Sequence, residues 1–196
     1  ERQMVSELVN AGCKYIQVYG PSYTRYVDKD SLDVMRERGE DPQKNLAAAI
    51  AADNAVIEGF PKAVFGLHMC RGNRHSMWHR EGSLDPIAEQ LFSEIHVDRL
   101  LMEYDTPRSG DFQPLRFVPK DKVAVLGLVS TKVRDLESVD SLRSRVEEAS
   151  RYLDMDRLGL CPQCGFASSF TTDRFTQDDE ERKLARIVEA ADAIWR

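Results

Sequence analysis

No apolar run in the sequence approaches the ~20 residues needed to span a bilayer, and no secretory leader is visible. A membrane is therefore not expected as a partner. Positive charge is not in excess either. A net charge of -6 argues against nucleic acid and anionic surfaces as partners. Cysteine is sparse: four in 196 residues make no disulfide framework. Unpaired thiols of this kind belong to a reducing, cytoplasmic compartment. Glycine is not clustered, since Gly20 and Gly72 stand alone, so the Gly-rich first turn of a dinucleotide binder is missing. Internal repeats, low-complexity stretches and linkers are absent, and residues 1–196 read as a single domain.

What is present is a regular alternation. A helix is expected over 2–12, with Met4, Val5, Leu8 and Val9 at helical spacing and Gly12 at its C-cap. Because Glu1 is not Met and the chain opens within this helix, an N-terminal portion is expected to precede it. A β-branched strand over 13–19 ends at Gly20-Pro21, and a short helix is expected over 31–38. Asp41 suits an N-cap and Pro42 the first turn of a long helix carrying Leu46, Ala49, Ile50, Asn54 and Ile57 on one stripe. Strands at 63–68, 99–103, 123–128 and 157–160 follow, with helices at 85–94, 138–152 and 178–195 and a short apolar segment at 114–117. The last helix opens with Asp178, Asp179 and Glu180, which favour its N-terminal dipole.

Strands alternating with helices indicate an α/β fold with a parallel sheet. A doubly wound sheet and a TIM (β/α)8 barrel both fit the alternation. The long βα loops and short αβ returns favour the barrel, of which five βα units would be the C-terminal portion. So does the placement of reactive groups, because barrel enzymes assemble their chemistry at the C-terminal ends of several strands.

Those groups are His68-Met69-Cys70, Glu103 and Cys161-Pro-Gln-Cys164. Sulfur, imidazole and one carboxylate form the donor set that tetrahedral Zn2+ prefers. Ligands this scattered are gathered by a fold, as in catalytic sites, not by a local finger. Residues i and i+2 of a strand share a face, so His68 and Cys70 point together into the barrel mouth. Core packing is the plainer reading of a His-x-Cys. For Glu103 the plainer reading is a salt bridge to a neighbour such as Arg108, with Asp105 a competing acid further out on the loop. The Cys-x-x-Cys can be a zinc pair, a redox pair or two bystanders. The turn around Pro162 and Gly165 makes Cys164 the inward thiol and leaves Cys161 a small buried residue. His75 and His79 read as solvated, His96 as a connecting residue and Cys13 as core.

Four stretches occur together and in order: Ala11–Gln17, Gly66–Asn73, Leu101–Asp111 and Pro162–Gly165. In this combination the chain resembles the catalytic barrel of the cobalamin-independent methionine synthase family and its short, single-barrel relatives. The resemblance covers nearly the whole chain and about half of such a barrel. It implies a zinc ion held by His68, Cys70, Glu103 and Cys164, with Tyr19, Asn73 and Ser130 as lining residues. It further implies methyl transfer from a methyltetrahydrofolate to a thiol, homocysteine, which the metal binds as thiolate. Two departures stand out. Where the family continues Ile-Asp-Glu-Pro, with the Asp receiving the amino group of homocysteine, this chain has Val18-Tyr19-Gly20-Pro21. Where the family has Asp-Ile-His-Ser, this chain has Gly127-Leu-Val-Ser130. Both are compatible with the epoxyalkane:coenzyme M transferases, a similar group whose thiol-sulfonate carries no amine. Arg25, Arg71, Arg74 and Lys132 are available to meet a sulfonate or carboxylate. A non-enzymatic alternative is a paralogue that stores or senses zinc.

Overall fold

The computed structural model describes residues 1–72, 77–167 and 175–196. Five strands, β1 (Tyr15–Tyr19), β2 (Val64–Met69), β3 (Arg99–Glu103), β4 (Val123–Val129) and β5 (Leu158–Pro162), form one sheet in the order β1-β2-β3-β4-β5. Every pairing is parallel. A doubly wound sheet reverses its strand order at a switch point. Strictly sequential neighbours are instead the arrangement of consecutive βα units in a (β/α) barrel.

Among the described residues six α-helices accompany these strands: α1 (Arg2–Asn10), α2 (Lys29–Glu37), α3 (Pro42–Ile57), α4 (Asp85–Glu94), α5 (Val139–Ala149) and α6 (Gln177–Trp195), with two 3-10 turns in place of an α-helix between β3 and β4. Their ends follow from short-range chemistry. Gly12, at φ +94°, closes α1 in a Schellman turn, its N–H donating to Val9 O while that of Cys13 donates to Leu8 O. Asp41 caps α3 by accepting from the backbone of Gln43 and Lys44, as expected. Some ends differ from expectation by a few residues. Helix α2 starts at Lys29 because Asp28, not a later residue, accepts from the Ser31 N–H. Helix α5 stops at Ala149, and α6 starts at Gln177 on a capping box between Thr176 and Asp179.

Alternation along the strands sorts the two faces of the sheet. Ile16, Phe65, Leu67, Met69, Leu100, Met102, Ala124, Leu126 and Leu158 join apolar residues of the helices, such as Leu46, Ile50, Leu91, Val146 and Ala190, in one core. Register sets the opposite face in rows, with Tyr19 beside His68 and His68 beside Leu101, then Glu103 beside Gly127 and Gly127 beside Cys161. A register shift between Gly127 and Val129 sets Pro162, the last residue of β5, beside Val129, the last residue of β4. Among the described residues no helix is long and apolar enough to cross a membrane.

Candidate metal centre

All four residues expected at a metal lie at strand C-termini. His68 is the penultimate residue of β2, and Cys70 follows its end. Glu103 closes β3, and Cys164 sits two residues beyond β5. The fold brings one donor atom from each to within 4.8 Å of all the others. Cys70 Sγ lies 3.8 Å from Cys164 Sγ, and His68 Nε2 lies 3.7 Å from Glu103 Oε1. Tetrahedral Zn2+ with Zn–S near 2.3 Å has a sulfur–sulfur edge of ~3.8 Å, and a nitrogen–oxygen edge of ~3.4 Å. The donors therefore stand close to where such an ion would need them.

The environment fits a cation as well. His68, Cys70 and Glu103 are buried, and His68 Nε2 has no hydrogen-bond partner among the described residues. A buried imidazole nitrogen left open is costly unless something fills that position. The two thiols are within hydrogen-bonding distance of each other, and either sulfur can be the donor. The hydrogen bond from Cys70 pulls the Cys164 thiol below its ordinary value, and the same bond, followed by burial, pushes Cys70 up. Two adjacent sulfurs cannot both ionise comfortably without a cation between them. A bound metal would displace the thiol protons and stabilise both sulfurs as thiolates.

Beside the cluster is a cavity of about 350 Å³ lined by Gln17, Tyr19, His68, Leu101, Cys161, Pro162, Cys164 and Gly165. Tyr19 lies at its mouth, 56% exposed, with its ring stacked on His68 at 5.8 Å between centroids. Burial, followed by a hydrogen bond with Cys70, pushes its phenol up, so it stays protonated at neutral pH. Cys161 stands outside the four-donor cluster and lines the cavity. Burial first, and then the Glu103 charge, push its thiol up to about 12.

Other expected positions fall elsewhere. Ser130 is buried; its N–H donates to Glu137 and its hydroxyl accepts from the Lys132 N–H. It is not among the residues lining this cavity. Asn73, Arg74 and His75 lie outside the described residues. His79 is exposed, and its ring lies against Gly72. Asp105 is not an outlying loop acid: its side chain is fully buried against Arg108. Arg71 is no solvated loop arginine either, being among the largest fully buried side chains. For Glu103 the two readings are not exclusive, because it joins the donor cluster and also pairs with Arg108 at 2.8 Å. Sequence reasoning missed Gln17 and Leu101 as lining residues. Period-two spacing from Tyr19 and Glu103 carried that signal.

The sheet order and the strand-end cluster define a barrel-type α/β protein with a metal-binding-capable His, Cys and Glu centre. The chain belongs to the cobalamin-independent synthase family, whose catalytic domain matches residues 1–192. It is 35% identical to the Bacillus subtilis protein YxjH over 198 residues, covering 100% of this chain and 52% of that protein. A methionine synthase of Pyrococcus furiosus is 23% identical over 163 residues, which are 82% of this chain and 41% of that enzyme. Among solved structures, one from Listeria monocytogenes assigned to the vitamin-B12-independent methionine synthases is 26% identical, with a TM-score of 0.71 over 100% of this chain and 52% of the other. A B12-independent methionine synthase from Shewanella sp. W3-18-1, at 17% identity, has a TM-score of 0.73 over 98% of this chain and 52% of the other, and shares the fold. The chain thus spans about half the length of the relatives it matches, and its fold is a partial (β/α) barrel.

Proposed function

We propose that residues 1–196 form the C-terminal part of the catalytic barrel of a zinc-dependent, thiol-alkylating transferase of the methionine synthase type. The observation that carries this reading is the convergence of His68, Cys70, Glu103 and Cys164 on one point at the strand ends. In this reading His68, Cys70, Glu103 and Cys164 would hold Zn2+, with Cys70 and Cys164 bound as thiolates and their protons released to solvent. Zinc supplies Lewis acidity, lowering the pKa of a substrate thiol so that it reacts as thiolate with a methyl or alkyl donor. The protein's own groups bind and orient. Tyr19 caps the imidazole of His68 and offers a phenolic donor to the incoming molecule. Leu101 and Pro162 give the cavity an apolar wall, and Gln17 gives it an uncharged polar one. The relatives named methionine synthases support methionine as the product, and in this reading the thiol is homocysteine and the donor a methyltetrahydrofolate.

A second reading, thiol addition to an epoxide, has its own supporting observation. Among the described residues lining the cavity there is no carboxylate to receive an ammonium group, and Tyr19 stands at the end of β1. A thiol without an amine, such as coenzyme M, suits that wall. Turnover of the full-length protein with homocysteine plus methyltetrahydrofolate, beside coenzyme M plus epoxypropane, separates the two. Failure of both in a zinc-loaded protein would favour a zinc store or sensor. Metal analysis of wild type against Cys164→Ser tests the centre itself, and unchanged zinc content would sink the ligand assignment.

A further inference from the structure

The carboxylate of Glu103 is held at both oxygens. Oε2 accepts from Arg108 Nη2 at 2.8 Å. Oε1 accepts from the Arg71 N–H at 3.0 Å and stands 3.7 Å from His68 Nε2. Arg108 is in turn fixed from several sides. Its Nη1 donates to Asp105 Oδ1 at 2.6 Å and to Thr106 Oγ1 at 2.5 Å, and the Trp78 ring centre lies 4.9 Å from its guanidinium carbon. Its backbone lies in the 3-10 turn Pro107–Ser109, and its carbonyl accepts from the Gly82 N–H at 2.8 Å. Gly110 ends that turn at φ +75°, where an added Cβ would meet Ser83 Cβ at 2.8 Å. The Arg108 side chain is 2% exposed, and those of Glu103 and Asp105 are 0% exposed.

We propose that Arg108 is a positioning residue of the metal centre, a guanidinium clamped by Asp105 and Trp78 that holds Glu103 Oε2 and so turns Oε1 toward His68. The proposal rests on the metal reading above. Charge neutralisation alone would not require this geometry. A second guanidinium, Arg71, lies buried within electrostatic reach of the same carboxylates. The Arg108 Nε is also buried with no partner among the described residues. A side chain placed only for stability would be expected to satisfy that donor. What the planar fork supplies, and an ammonium does not, is direction: two N–H groups at a fixed angle, one for each carboxylate.

That difference is the test. In full-length protein, Arg108→Lys keeps the charge and loses the fork. Zinc affinity, measured by competition with a chromophoric chelator, is expected to fall ~10–100-fold, the usual effect of removing a group that orients a ligand. With Co2+ in place of zinc, the ligand-field bands should shift while the sulfur-to-cobalt charge-transfer band persists, because only the carboxylate has been released. A purely structural role would lower thermal stability and leave both readouts unchanged. Should Arg108→Lys fail to fold, Asp105→Asn retains the pair with Glu103 and loosens its far anchor, and it should weaken zinc in the same direction. Wild-type uptake of zinc with unaltered affinity and spectra in the folded variants overturns the proposal alone. A wild-type protein that takes up no zinc overturns the metal reading and this proposal with it.

Discussion

Cys70 and Cys164 are 94 residues apart in the chain, yet their sulfurs lie 3.8 Å apart, within hydrogen-bonding distance. Neither belongs to a strand; each follows the end of one, and the parallel sheet alone brings those ends to the same level. The Cys-x-x-Cys spacing draws attention to Cys161 and Cys164 as a pair. The structure pairs Cys164 with Cys70 instead.

This partnership predicts different fates for the two cysteines of the motif. Cys161→Ser should retain the full metal content of wild type, whereas Cys164→Ser should lose most of it, as read by elemental analysis of dialysed protein. Burial raises the Cys161 thiol to about 12. Its alkylation should therefore be slow near neutrality and accelerate with rising pH, because only the thiolate reacts. Mass spectrometry of pH-stepped alkylation follows this directly. Rapid modification of Cys161 at neutral pH, or zinc loss in Cys161→Ser, would refute the assignment.

Gly127 predicts how tightly the sheet controls the centre. An added Cβ would meet Gln163 Cα and Met102 O at 3.0 Å and Pro162 O at 3.2 Å, all on backbone that cannot rotate away. Gly127→Ala should push β5 and the following Gln163-Cys164 turn outward. A stability loss of about 1–3 kcal/mol is expected for overpacking of this kind, together with weaker zinc binding. Urea denaturation and chelator competition measure the two effects. Wild-type behaviour in both would mean that the register shift beside Gly127 tolerates more than the backbone distances allow.

How much of this was legible in the sequence depends on the range of the interaction. Strand β3, the Asp41 cap and the Gly12 turn are written in neighbouring residues, and they fall where expected. The four clustered residues were legible too, because each lies at or just beyond the end of a strand and a parallel sheet aligns strand ends. The Glu103–Arg108 pair was legible as a salt bridge, but the packing that fixes it was not. Arg71, Asp105, Arg108 and Trp78 lie in loops, where charged residues are ordinarily solvated. Only the three-dimensional path of two βα loops buries them together. Helix ends moved by a few residues for a smaller reason: Asp28 and Thr176 won the capping competition over later polar residues.

The Thr176 cap predicts a pH-dependent stability. Arg134, then the Thr176 backbone and hydroxyl, and then Arg182 hold the Asp179 carboxyl well below the usual carboxylate range. A carboxyl at ~3.9 when unfolded and lower when folded stabilises the fold above that value and loses the contribution as pH falls through the folded one. Asp179→Asn should therefore lower the melting temperature at neutral pH, and the gap to wild type should close in acid. Thr176→Ala, which removes the hydroxyl cap, should cost about 1 kcal/mol. A gap for Asp179→Asn that persists unchanged into strong acid would show that the ion pairs with Arg134 and Arg182 are not its source.

Lys132 tests whether the proposed thiol ligand carries an anionic group. It is 6% exposed, and its Nζ is buried with no partner among the described residues. Its charge is nevertheless one of the causes holding the Cys164 thiol down. A desolvated ammonium with no anionic partner among the described residues is costly, so Lys132→Met, which keeps the length and removes the charge, should raise the unfolding midpoint of the ligand-free protein. Such a cost is sensible if an anionic group on the ligand answers it. In the zinc-loaded protein, Lys132→Met should then weaken binding of coenzyme M about tenfold, a loss of ~1.4 kcal/mol, and leave 2-mercaptoethanol, the same thiol chain without a sulfonate, almost unaffected. Calorimetric titration of both thiols into both proteins decides the matter. Equal losses for the two thiols, or a destabilised variant, would show that Lys132 supports the loop and does not meet an anion.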